Sequence, residues 1–243
     1  MKTYDVADNV VAFSTLRRGD VDLGQSAAMP DIGYNGFNQW RNPSNRKLLA
    51  QRLGIDANRF VVPHQTHSNH VAHVSEPCQL EDVDAVFTTE KNLCVCVSTA
   101  DCIPVLLYDE RNGVVAAVHA GWRGTVARIV ECTLECMQNE CGTQGDDVKA
   151  VIGPGISLDA FEVGDEVYEA FRSAGFPMQQ ITRRDAKWHI DLWEANRLQL
   201  ENCGVRRIEL CGECTFTNHT RYYSARHDGI QSGRILNGIM LKS

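Results

Sequence analysis

The feature that most constrains this chain is a pair of unbroken apolar runs, Ile103–Tyr108 and Val114–His119, separated by Asp109–Gly113. Apolar runs of this length bounded by turn-forming residues read as strands. The Asp, Asn and Gly between them suit a hairpin, so the two strands are expected to pair antiparallel. Cys102 stands at the entrance of the first strand and His119 at the exit of the second. Antiparallel pairing therefore brings a thiol and an imidazole to one edge of a sheet.

Around this hairpin the pattern stays strand-rich. Strands are expected at Val10–Ser14, Phe60–Val62, His70–Val74, Ala85–Thr88, Leu93–Ser98, Lys149–Ile152 and Arg207–Cys211. A further hairpin is expected through Tyr222–His227 and Arg234–Met240. One helix, Thr125 to about Asn139, places Ala127, Val130, Leu134 and Met137 at three- and four-residue spacing. Asp159–Ser173 opens on a capping acid and is followed by Gly175, and Asp191–Asn202 repeats the pattern with Gly204. Gly19–Asn45 is rich in Gly, Asp and Asn and poor in periodic apolar residues, which predicts a long loop. There is no repeat, low-complexity tract or linker. Helices do not alternate with strands in a βαβ rhythm. The expected fold is α+β: a single domain over residues 1–243, built of mixed β-sheets with helices packed outside.

A chain of 243 residues buries enough surface to fold without disulfides or metal. Its formal net charge of −7 argues against broad binding to nucleic acid or an anionic membrane. No apolar run approaches the roughly 20 residues of a membrane span. The first residues lack the apolar core of a secretory signal, so the expected location is the cytoplasm. The ten cysteines do not resemble a stapled scaffold. Cys132, Cys136 and Cys141 fall along one expected helix and Cys94 and Cys96 in one strand, so most should be free thiols. Cys211-Gly212-Glu213-Cys214 has CxxC spacing, but no second CxxC exists to complete a zinc ribbon.

Histidines recur at positions 64, 67, 70 and 73. On a strand this odd spacing sends neighbours to opposite faces, so all four cannot converge. The segment is a source for a third donor beside Cys102 and His119. Three readings of that pair stay open on residue pattern alone. They are a core cysteine beside a satisfied histidine, a Cys–His nucleophile pair, or a Cys/His₂ zinc site with an open fourth position. Gly121 and Gly124 flank Trp122-Arg123, which suits a tight turn into the next helix. Arg123 at that helix start is a candidate anion ligand, and Trp122 reads as core packing.

Ser98–Leu107 (STADCIPVLL) and Val118–Gly124 (VHAGWRG) resemble the two linked signature motifs of the YfiH-like laccase-domain family. Members have been called polyphenol oxidases and multifunctional purine nucleoside phosphorylases. Gln65-Thr66-His67 is similar to the family's Gln-x-His motif, and Asp84-Ala85-Val86-Phe87-Thr88 to its next strand. Ile152-Gly153-Pro154-Gly155-Ile156 and Phe161-Glu162-Val163-Gly164 resemble later family elements, as does Cys214-Thr215 with Tyr223-Ser224-x-Arg226. Two departures stand out. Asp20 replaces a usual second glycine after Phe13–Gly19, and the acidic stretch expected soon after Tyr34–Asn38 is missing.

The resemblance implies an α+β fold of mixed sheets, with metal ligands at His67, Cys102 and His119. It also implies phosphorolysis of purine nucleosides and methylthioadenosine, and adenosine deamination, with nucleosides and inorganic phosphate as the small-molecule partners. Zinc is the expected ion. Copper ranks above zinc in affinity for such donors but is the lesser expectation. Cys102 and His119 are then also catalytic, with Asp101 beside them to orient a ligand or take a proton. Arg123 and Arg17 are candidates for phosphate, because a guanidinium binds it in a fork. Asn38 and Gln65 are candidates for purine or ribose. Three rival functions are a copper-dependent phenol oxidase, a metal-free Cys102–His119 hydrolase editing cell-wall precursors, and a non-catalytic zinc-bearing binding module. The first is disfavoured because multicopper sites need about ten histidines in His-x-His pairs, and this chain has eight, none so paired. The sequence sets no expectation for oligomeric state.

Overall fold

The computed structural model of the chain describes residues 1–17 and 43–243. Asn38, Asp20 and nearly all of the expected loop lie outside the described residues. The strands are Lys2–Tyr4 (β1), Val10–Ser14 (β2), Phe60–Val61 (β3), Val71–His73 (β4), Ala85–Thr88 (β5), Cys94–Thr99 (β6), Ile103–Asp109 (β7), Val114–Ala120 (β8), Val148–Ile152 (β9), Glu162–Val163 (β10), Thr182–Arg184 (β11), Trp188–Ile190 (β12), Arg207–Leu210 (β13) and Ile235–Leu241 (β14). The helices are Pro43–Leu53 (α1), Trp122–Val126 (α2), Ile129–Cys141 (α3), Asp165–Ser173 (α4), Met178–Ile181 (α5), Leu192–Asn202 (α6) and Ala225–Asp228 (α7).

Two mixed sheets dominate, in the orders β1-β2-β14-β6-β3 and β13-β9-β7-β8-β5-β4; a small third sheet runs β10-β12-β11. The expected hairpin is the centre of the second sheet, with Pro104 opposite His119 and Ile103 opposite Ala120. Every residue of β7 and β8 is buried, because both faces of this sheet are covered. Leu106, Tyr108, Val115 and Ala117 point toward the first sheet and meet Ala12, Val95, Val97 and Ile239. On the opposite face Val105, Leu107, Ala116 and Val118 pack under Val130, Leu134 and Met137 of α3 and Ala195 and Leu200 of α6. The first sheet in turn buries Phe13, Cys94 and Cys96 under Leu49 and Ala50 of α1. The period of two along each strand thus divides one chain between three apolar layers. The α+β class of mixed sheets with helices outside is the observed architecture.

Four local expectations need correction. The expected helix from Thr125 is two helices, broken at Arg128, whose φ of 63° is left-handed. That backbone is held by the Arg128 guanidinium, which donates to the Ala174 carbonyl at 2.7 Å and lies 3.8 Å over the Phe176 ring. The helix expected from Asp159 starts only at Asp165, because Glu162–Val163 pairs with β12 as a strand. Tyr222 and Tyr223 form no strand of a hairpin with β14. They are buried in a cluster with Ala100 and Ile235, and the Ser224 side chain caps the short α7 instead. The expected loop also ends early, since α1 begins at Pro43. All ten cysteines are free, where most were expected to be. No helix among the described residues is long and apolar enough to cross a membrane.

Candidate metal centre

The site forms where the chain crosses from one large sheet to the other. β6 ends at Thr99 and β7 begins at Ile103, so Ala100-Asp101-Cys102 must turn sharply between the layers. Asp101 makes that turn with a left-handed φ of 82°. Such a conformation is strained for a residue with a Cβ and persists only where its surroundings hold it. Here the Thr215 hydroxyl donates to one carboxylate oxygen of Asp101 at 2.6 Å and the Arg226 amide to the other at 2.7 Å. The Ile156 amide donates to its carbonyl at 2.9 Å. Cys102, half-buried, is presented as a result.

His119 comes from the end of β8 and is 3 % exposed. Because Ala85 pairs with Val118, Asp84 falls beside His119. The His119 amide donates to the Asp84 carbonyl at 2.7 Å, and its Nδ1 lies 2.6 Å from Asp84 Oδ1. An Nδ1–H given to a carboxylate leaves Nε2 as the donor facing the site. His67, exposed, comes from the loop between β3 and β4 with a left-handed φ of 65°. The same Asp84 carboxylate accepts from the amides of Thr66, His67 and Ser68 at 3.0, 3.0 and 2.9 Å and from Ser68 Oγ at 2.8 Å.

The candidate ligand atoms of His67, Cys102 and His119 all lie within 4.8 Å of one another, the only group of three such donors among the described residues. His67 Nε2 is 3.8 Å from Cys102 Sγ, and the two imidazole centroids are 4.9 Å apart. Tetrahedral zinc with ordinary bond lengths separates sulfur from nitrogen by about 3.6 Å, so the donors stand close to a coordinating arrangement. Gly121 completes the cradle. A Cβ there would lie 2.8 Å from His67 Cδ2 and 3.1 Å from Cys102 Sγ. One thiolate and two neutral imidazoles suit a borderline-soft divalent ion and leave one position open toward solvent at His67.

Electrostatics inside the cluster favour the thiolate. Burial alone would raise the Cys102 thiol, but the charge and hydrogen bond of His119 and the hydrogen bond of His67 outweigh it and bring it down to about 6. Burial would lower His119, yet the Cys102 thiolate and the Asp84 carboxylate raise it to about 9. Burial also opposes ionisation of Asp84, and its bonds to His119, Thr66 and Ser68 hold it well below the usual carboxylate range.

The other expected residues fall as follows. Both ends of the Gln65 amide are taken by Ser98: Nε2 donates to its carbonyl at 2.9 Å and Oε1 accepts from its amide at 2.7 Å. Arg17 donates to Asp228 at 2.7 Å and to the His219 carbonyl at 2.9 Å. Arg123 is exposed, with its guanidinium 4.2 Å over the half-buried Trp122 ring. α2 has only five residues, too short for its N-terminus to serve as the anion site expected there. Of the four spaced histidines only His67 joins the cluster. His64 pairs with Glu81 at 2.7 Å, His70 with Asp82 at 3.0 Å, and His73 with Glu140 at 2.7 Å. Sequence reasoning missed the parts played by Asp84, Ser98, Thr215 and Gly121. Asp84 stood only as the start of a strand motif, and its place beside His119 depends on a β5–β8 register that residue pattern does not set.

Fold and site together define a YfiH-like protein with a Cys/His₂ donor cluster at the seam of two sheets. The chain belongs to the family described as multi-copper polyphenol oxidoreductase laccase, matching it over residues 12–242. It is 46% identical to a purine nucleoside phosphorylase of Bacteroides thetaiotaomicron, over 96% of this chain and 92% of that one. It is 41% identical to adenosine deaminase RL5 of an unknown prokaryotic organism, over 97% and 95% of the two chains. Among solved structures it is similar to YfiH of Bacillus licheniformis, with TM-score 0.85, 25% identity and 99% of both chains covered. YlmD of Geobacillus stearothermophilus gives TM-score 0.86 at 27% identity, over 97% and 93% of the two chains.

Proposed function

We propose that this chain is a zinc-dependent enzyme of purine nucleosides that cleaves them with inorganic phosphate and also deaminates adenosine. The observation that carries this reading is the convergence of His67, Cys102 and His119 within 4.8 Å at a solvent-open seam. The likeness to a purine nucleoside phosphorylase and to an adenosine deaminase along nearly the whole chain supports it. The family's multi-copper description fits less well, because the described residues hold one three-donor group rather than several. Zinc bound there supplies a Lewis acid with an open coordination position.

The residues divide the work. Cys102 and His119 hold the reacting region, with His67 on its open side. In phosphorolysis a phosphate oxygen bonds to C1′ of the ribose while the bond from C1′ to the base breaks, and the base leaves with that electron pair and takes up a proton. Arg123, exposed and four residues after His119 in the chain, is our candidate to carry the phosphate charge. Arg17 is tied to Asp228 and serves phosphate only by exchanging that partner. Asp101 and Gln65 act by position: Asp101 sets the turn that presents Cys102, and Gln65 pins the His67 loop to Ser98. Asn38 remains a candidate contact for purine or ribose. The protein acts in the cytoplasm on small molecules.

The test is product chromatography on adenosine and inosine, with and without phosphate, using zinc-loaded and chelator-stripped protein. Phosphate-dependent release of adenine and hypoxanthine is expected, together with phosphate-independent conversion of adenosine to inosine. Both should vanish on stripping and return with zinc. Phosphate-independent cleavage that persists in stripped protein and is lost to a thiol alkylator would replace this reading with a metal-free Cys102–His119 hydrolase.

A further inference from the structure

The Asp84 carboxylate is fully buried at 0 % exposure and receives five donors from two separate parts of the chain. His119 Nδ1 sits 2.6 Å from Oδ1, which also accepts the His67 amide at 3.0 Å. Oδ2 accepts the Thr66 and Ser68 amides and the Ser68 hydroxyl at 2.8 to 3.0 Å. One side chain therefore fixes the ring of one ligand and the backbone of another. Three consecutive amides aimed at one carboxylate also account for the left-handed φ of 65° at His67, which lacks the freedom of glycine. From this geometry we infer that Asp84 is the positioning residue that orients the donor pair His67/His119 toward a shared ion. It sets the His119 tautomer through Nδ1 and the direction of His67 through the 66–68 backbone. Asp84 touches no substrate and is not a catalytic residue. The inference rests on the zinc reading above, and the experiment separates the two.

An amide cannot reproduce this arrangement. In Asp84→Asn one of the two oxygens becomes an NH₂ group facing hydrogen-bond donors, whichever way it is flipped. Zinc affinity is measured by chelator competition for the wild type, Asp84→Asn, Ser68→Ala and the control Asp109→Asn. Asp109 is likewise a buried carboxylate capping backbone amides, those of Arg111 and Asn112, at the far end of β7 from Cys102. Loss of an outer partner of a metal ligand weakens binding about 10- to 100-fold. That loss is expected in Asp84→Asn, with a smaller loss of the same sign in Ser68→Ala, which removes one donor and leaves the carboxylate in place. Asp109→Asn should lower the melting temperature and leave zinc affinity unchanged. In nitrogen-15 spectra of the zinc-loaded wild type, His119 should carry its proton on Nδ1 in a strongly downfield resonance that moves upfield in Asp84→Asn. If Asp84→Asn does not fold, Ser68→Ala decides alone, and unchanged affinity there overturns the inference. Equal zinc affinity in wild type and Asp84→Asn, or an equal loss in Asp109→Asn, also overturns it. A wild type that binds no zinc removes the metal reading itself.

Discussion

Replacing Gly121 with alanine separates the metal cradle from the fold. The backbone at Gly121 has φ −68° and ψ 168°, extended values open to any residue. Alanine there needs no backbone adjustment, and by narrowing the unfolded ensemble it should favour folding by roughly 0.4–1 kcal/mol. The side chain meets the site instead. Its Cβ falls 2.8 Å from His67 Cδ2, where carbon atoms pack at about 3.5 Å or more, a deficit of some 0.7 Å. His67 is exposed and yields at small cost, so the protein folds. Metal–donor bond lengths, however, are held to within about 0.2 Å of their standard values. The expected result for Gly121→Ala is zinc binding weakened at least about tenfold, by analogy with the loss of a ligand's supporting contact. Its melting temperature in metal-free buffer should equal or exceed that of the wild type. Chelator competition and metal-free thermal unfolding read the two effects separately. Zinc affinity and turnover equal to the wild type would refute the argument that these three donors hold the ion.

In metal-free protein, alkylation of Cys102 by iodoacetamide should follow a pH profile with its midpoint at about 6, and a midpoint near 9 would contradict the thiolate–imidazolium pairing. The depressed Cys102 value adds stability that is fully present above 9 and lost as pH falls through 6, whereas the raised His119 value adds stability that is full below 6.5 and lost as pH rises through 9. The two slopes oppose and cancel between about 6.5 and 9, so the melting temperature of metal-free protein should stay level across that window, and Cys102→Ala should remove that balance. Arg123→Ala should raise the KM for phosphate about tenfold or more with zinc content intact, and an unchanged kcat/KM removes Arg123 from the phosphate site. Leu106→Ala, deep between the two large sheets, should cost about 2–5 kcal/mol in denaturant unfolding while zinc stoichiometry is retained.

The hairpin of β7 and β8 was legible because two apolar runs and a turn leave few alternatives; antiparallel pairing brings Cys102 and His119 to one edge, and the turn at Asp101 sets their approach. The alternation along β6, with Cys94 and Cys96 on one face and Val95 and Val97 on the other, could be read but not assigned to layers. That assignment depends on which sheet covers which. The break at Arg128 escaped because the apolar spacing runs straight through it, and its cause is a contact with Ala174 and Phe176 far along the chain. Residue pattern alone gave no reason to choose His67 over its three neighbours; the family resemblance did. Its physical reason is the Asp84 carboxylate, which gathers the 66–68 backbone through a strand register invisible in a linear reading. Gln65 and Asp101 looked like groups for substrate or protons, and their partners Ser98, Thr215 and Arg226 are equally long-range.

The most direct measurement of the central claim is zinc K-edge absorption fine structure on protein purified without added nickel and loaded with one equivalent of zinc. One sulfur at about 2.3 Å, two imidazole nitrogens near 2.0–2.1 Å and one further light atom are expected, with the sulfur shell absent in Cys102→Ser. A zinc environment without sulfur in the wild type, or one unchanged by Cys102→Ser, would contradict the account.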